Sequence, residues 1–72
     1  MLTTEQVRQR LRERMDQVGG ATAWGRRHGV SPTYLGDVVH GRREPGAAVL
    51  RPLGLVRLEH AYDEAEGAEV RS

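Results

Sequence analysis

Val7, Leu11, Met15 and Val18 recur at spacings of four, four and three residues, the signature of one apolar stripe along a helix. Thr3 caps the start of that helix, with Gln6 as its capping-box partner. Gly19-Gly20 ends it. Arg8, Arg10, Arg12, Glu13 and Arg14 fall on the polar side, which reads as a solvated face, or at one end as a contact to phosphate. Residues 21–28 predict a second helix of about two turns, capped by Gly20 or Thr22, with Trp24 turned inward and Arg26 and Arg27 outward. Gly25 costs such a helix roughly 1 kcal/mol relative to Ala, which implies that a neighbouring helix passes too close for a β-carbon.

Gly29 breaks the second helix and Val30 plugs the corner that follows. Ser31 and Pro32 open a third helix, 32–40, as N-cap and first helical residue. Leu35, Val38 and Val39 give it a buried side, while Thr33, Tyr34, Gly36, Asp37 and His40 share the rest of its circumference. A turn-rich basic connection, Gly41 to Gly46, leads to a fourth helix over 47–53. Pro52 should leave that helix short or distorted, because it removes a donor and restricts Arg51. Residues 55–62 permit both a strand, by alternation, and a helix face through Leu55, Leu58 and Tyr62. No other segment reads as a strand, so a strand here would pair with the same segment of a second subunit. Residues 63–72 are acidic and small and read as a disordered tail. The expectation is an all-α, compact four-helix bundle over 1–62, followed at its end by a strand or helix used in dimerisation.

The composition narrows the chemistry. Seventy-two residues make one small domain, and the absence of Phe leaves an aliphatic core around Trp24, Tyr34 and Tyr62. With no cysteine there are no disulfides and no thiolate zinc site. No apolar run approaches the roughly 20 residues of a membrane span, and the first residues lack the pattern of a secretory signal, so a cytoplasmic chain is expected. Net charge is only +1 but unevenly spread. Residues 1–57 hold ten arginines against five carboxylates, and 58–72 hold one arginine against five. A basic body therefore carries an acidic end. All eleven basic residues are Arg, which suits bidentate phosphate and guanine contacts and equally suits a GC-rich genome. His28, His40 and His60 lack ligand spacing, no nucleophile–base pairing is legible, and no glycine-rich phosphate loop exists, so neither a metal site nor an enzyme is expected.

The stretch from Trp24 to Gly46, WGRRHGVSPTYLGDVVHGRREPG, resembles the helix-turn-helix of Cro- and repressor-type regulators, which have the lambda-repressor-like fold. The matching features are Gly29 with Val30 after it, Ser31 opening the second helix, Tyr34-Leu35, and Gly41 and Pro45 at the exit. The likeness covers roughly residues 4 to 54. It implies a dimeric DNA-binding regulator, a small repressor on a near-palindromic operator, with 32–40 as the recognition helix in the major groove. It places Thr33, Gly36, Asp37 and His40 at base edges, Pro32 at the groove entrance, and Ser31, Tyr34, Arg42 and Arg43 at phosphates. Gly25 stands where that family prefers Ala. Ala21 stands where it often has a phosphate-binding Gln, a role Thr22 could take. Pro52 lies inside its fourth helix. Asp37 either accepts from cytosine or pairs with a nearby arginine, and Gly36 serves either groove approach or internal packing. No cofactor is implied. The alternative is an antitoxin-like or adaptor protein whose acidic tail binds a protein partner.

Overall fold

The computed structural model describes residues 1–59 and 61–64. Four helices, α1 (Thr4–Val18), α2 (Ala21–His28), α3 (Pro32–Val39) and α4 (Ala47–Leu50), precede a short hairpin of β1 (Leu55–Arg57) and β2 (Tyr62–Glu64). The fold is thus mostly helical with a two-stranded antiparallel sheet.

Local chemistry sets the helix ends. The Thr3 hydroxyl accepts from the Gln6 amide at 3.1 Å and the Gln6 side chain accepts from the Thr3 amide at 2.8 Å, the reciprocal box that starts α1. Gly19 ends α1 at φ 102° and Gly29 ends α2 at φ 71°, both in the left-handed region where a side chain is strained. Gly20, with no side-chain cap, begins α2. Ser31 caps α3 by accepting from the amides of Thr33 and Tyr34, with Pro32 directly after it.

The core joins Val7, Leu11 and Met15 of α1 to Trp24, Val30, Leu35 and Val38, and then to Val49, Leu50, Leu53, Leu55 and Tyr62. Val18 and Val39 stand at its margin, each the last residue of its helix. Gly25 is buried because the corner closes over it. A β-carbon there would lie 2.3 Å from the Val30 carbonyl oxygen and 3.3 Å from Leu35 Cδ1. The close neighbour is therefore first the backbone of the turn and only then the next helix. That same turn accepts a bond from the Val30 amide to the Gly25 carbonyl at 2.8 Å.

After α4 the chain makes two tighter turns, from the Leu53 amide to Leu50 and from the Gly54 amide to Arg51. Arg51 keeps a right-handed helical conformation at φ −58° and ψ −51°, so Pro52 shortens the helix without forcing Arg51 to be extended. Pro52 sits in the second turn position, where its missing donor is not needed.

The C-terminal segment departs from expectation. Leu55–Arg57 is a strand, and its partner lies in the same chain: Leu55 faces Glu64, Val56 faces Asp63 and Arg57 faces Tyr62. Leu2 adds a bridge on the other side of β2, exchanging bonds with Tyr62 at 2.6 and 2.9 Å. β2 lies between two neighbours, and Tyr62 is buried in the core. Asp63 and Glu64, read as the start of the tail, belong to β2, where Glu64 accepts from Arg10 at 2.9 Å. The rest of the proposed tail, 65–72, and His60 lie outside the described residues.

Two glycines in helix interiors should respond to alanine with opposite signs. Gly25→Ala forces a β-carbon onto a backbone carbonyl and should cost about 1–3 kcal/mol in urea unfolding. Gly36→Ala meets nothing within 4 Å, so it should leave stability unchanged or raise it by up to about 1 kcal/mol. Equal losses at both positions would contradict this account of Gly25.

Candidate nucleic-acid interface

Thr33, Gly36, Asp37 and His40 recur at helical spacing on one side of α3, opposite the fully buried Leu35 and Val38. Pro32 and Thr33 are exposed at its start. Ser31 uses its oxygen as an acceptor for the cap, which leaves its O–H to donate outward. Of the two roles open to Gly36, internal packing has no neighbour to serve, since a β-carbon would meet nothing within 4 Å.

The His40 ring turns back on its own helix. Its Nδ1 lies 2.7 Å from the Gly36 carbonyl oxygen, which only accepts, so Nδ1 donates and Nε2 is the atom left for a ligand. Asp37 faces the residues beyond the helix, with Oδ1 3.0 Å from Arg42 Nε and Oδ2 3.5 Å from Arg43 Nε.

Tyr34 is placed differently from a free phosphate contact. Its hydroxyl accepts from the Gly46 amide at 2.8 Å and donates to the Glu44 carbonyl at 3.3 Å. The donor a phosphate oxygen would need is already engaged, and the ring instead ties α3 to the entry of α4. The tie is close, because a β-carbon on Gly46 would stand 2.9 Å from that hydroxyl oxygen.

Thr22 is exposed in the first turn of α2, whose amides have no side-chain cap. Arg26 follows it by four residues on the same side of α2 and is also exposed. The i, i+4 spacing from Thr22 is the signal that adds Arg26 to the candidate residues. Among the described residues Arg14, Arg26, Arg27 and Arg51 have no ion pair, whereas Arg10 and Arg57 are paired with Glu64 and Glu44.

Two further arginines drop out of the solvated face. Arg8 Nε donates to the Val38 carbonyl and Arg12 Nη2 to the Val39 carbonyl, each at 3.1 Å. Arg8 also bonds Glu5 at 2.6 Å. These cations hold the end of α3 rather than solvent. Their partners lie 30 and 27 residues away, so no local pattern reports them.

The arrangement offers a narrow, polar helix face, an arginine pair at its far end, and open donors at the start of both α2 and α3. Among the described residues no helix is long and apolar enough to cross a membrane, and no group of three His, Asp or Glu could hold a metal ion. The chain matches no protein-family model, no curated protein and no solved structure.

If the Tyr34 hydroxyl is a structural tie, Tyr34→Phe leaves the partly buried Gly46 amide without its acceptor. Thermal unfolding of the free protein should then report a loss of about 1 kcal/mol or more. Unchanged stability would return the hydroxyl to the set of free surface groups.

Proposed function

We propose that this chain is a sequence-specific DNA-binding regulator of the Cro and repressor type. On this reading it works in the cytoplasm as a small dimeric repressor, and it binds rather than catalyses. The observation that carries the reading is the outer face of α3. Its side chains there are small or short, the helix is fixed from behind, and Arg42 and Arg43 flank its end. An α-helix of this girth enters the major groove, where base pairs differ in donor and acceptor pattern. Phosphate contacts would then set register and base contacts would set preference.

Thr33 and the Nε2 of His40 meet base edges, and Gly36 lets the backbone come close. Pro32 stands at the groove entrance. The Ser31 hydroxyl, Thr22 with the uncapped amides of α2, Arg26, Arg42 and Arg43 meet phosphates. Tyr34 acts through the loop it braces.

A second copy is supported by the surface between α4 and β1. There an open groove of about 420 Å³ is lined by Pro45, Ala47, Leu50, Leu55 and Val56. Among the described residues β1 pairs only with β2, so its other edge has no strand partner. Two copies would set their recognition helices roughly 34 Å apart, one turn of DNA.

Selection from a random duplex library tests the reading. The enriched sites should be near-palindromes, and affinity should fall steeply with salt. Arg43→Ala should weaken binding to every duplex and lower the salt slope by about one. Thr33→Ala should change the preferred base at one position of each half-site. A protein that enriches no sequence and shows no salt-sensitive duplex binding would refute the proposal.

A further inference from the structure

Asp37 holds both arginines at the end of α3 by main chain and side chain together. Its carbonyl oxygen accepts from the Arg42 amide at 2.8 Å and the Arg43 amide at 3.2 Å. Its carboxylate takes the Nε of Arg42 on one oxygen and that of Arg43 on the other, at 3.0 and 3.5 Å. The Asp37 side chain is 24% exposed, while those of the two arginines are 67% and 65% exposed. Both contacts use the inner nitrogen of the guanidinium. The terminal nitrogens carry four further N–H donors on each side chain, which these two contacts do not use.

Two adjacent arginines repel each other, and each carries rotamer freedom that must be lost before it can grip one phosphate. A carboxylate between them removes the repulsion and much of that freedom in advance. We infer that Asp37 is a positioning residue for the DNA backbone, aiming Arg42 and Arg43 as a bracket on phosphate, and not a reader of bases. This rests on the DNA-binding reading above. It makes a prediction of unusual sign. Simple Coulomb attraction says that removing a negative charge from a face turned to a polyanion strengthens binding. The bracket says that it weakens binding, and on all sequences alike.

The test uses the full chain and two unrelated duplexes of roughly 20 base pairs, about two helical turns, read by fluorescence anisotropy across a salt series. Asp37→Asn should weaken both duplexes by a similar factor, about 3- to 10-fold, which corresponds to ordering one or two long side chains on binding. Asp37→Glu, which keeps the charge, should recover part of the loss. In an Arg42→Ala/Arg43→Ala background the Asn substitution should no longer weaken binding, because only the Coulomb gain is left. In the free protein, the Nε–H resonances of Arg42 and Arg43 should exchange faster with water in the Asn variant, a readout independent of DNA. Affinity that is unchanged or raised in Asp37→Asn overturns the inference, as does a loss confined to one duplex, which would mark a base contact. A wild-type chain that binds neither duplex would remove the DNA-binding reading itself and this inference with it. Wild-type binding with an indifferent Asn variant removes the inference alone.

Discussion

The C-terminal end of α3 is held by two arginine side chains from α1, and the presentation of that helix depends on them. A helix end leaves carbonyl groups without intrahelical donors and gathers partial negative charge. Arg8 and Arg12 answer both needs at the carbonyls of Val38 and Val39. Hydrogen bonds from charged donors contribute about 1.5–3 kcal/mol each, so the pair opposes the intrinsic preference of an eight-residue helix to unravel. Gly41 completes the arrangement. Its φ of 83° turns the chain sharply, and the Arg8 guanidinium lies 3.4 Å from where a β-carbon would be, so the turn and the cation share one space.

The other end of α3 is fixed by different means. Val30 and Leu35 press on Gly25, Ser31 satisfies the first amides, and Tyr34 spans to the loop before α4. A helix fixed at both ends and packed through Leu35 and Val38 can offer its remaining side to a ligand with little ordering left to do. That is the property a reading helix needs, because a site held loosely loses affinity to the entropy of ordering it. At Asp37 the fixed helix in turn holds the two arginines beyond it.

Features set by neighbours in sequence were legible, and those set by distant ones were not. The Thr3 and Gln6 box, the glycine ends of α1 and α2, and the Ser31-Pro32 start each act within a few residues, so composition at a single place reveals them. β2 was hidden for the opposite reason. Its Asp63 and Glu64 are poor strand formers, and what supports it comes from Leu2 and Arg10 at the far end of the chain. Within the candidate site, the partners of Asp37 lie five and six residues on, and an ion pair there was one of the readings open to it. Tyr34 looked free because the loop it braces is 10 to 12 residues later. Arg8 and Arg12 looked solvated because their carbonyl partners belong to another helix.

The central claim is that this fixed outer side of α3 is the surface that meets DNA. Amide chemical-shift mapping of the labelled protein, titrated with a short duplex at low salt, tests it most directly. The account predicts shifts concentrated at Thr22, Arg26, Ser31, Thr33, Gly36, His40, Arg42 and Arg43, with Leu50, Leu55 and Val56 unmoved by the duplex at constant oligomeric state. Shifts centred on α4 and β1, or spread along the arginines of α1 with α3 silent, would contradict it.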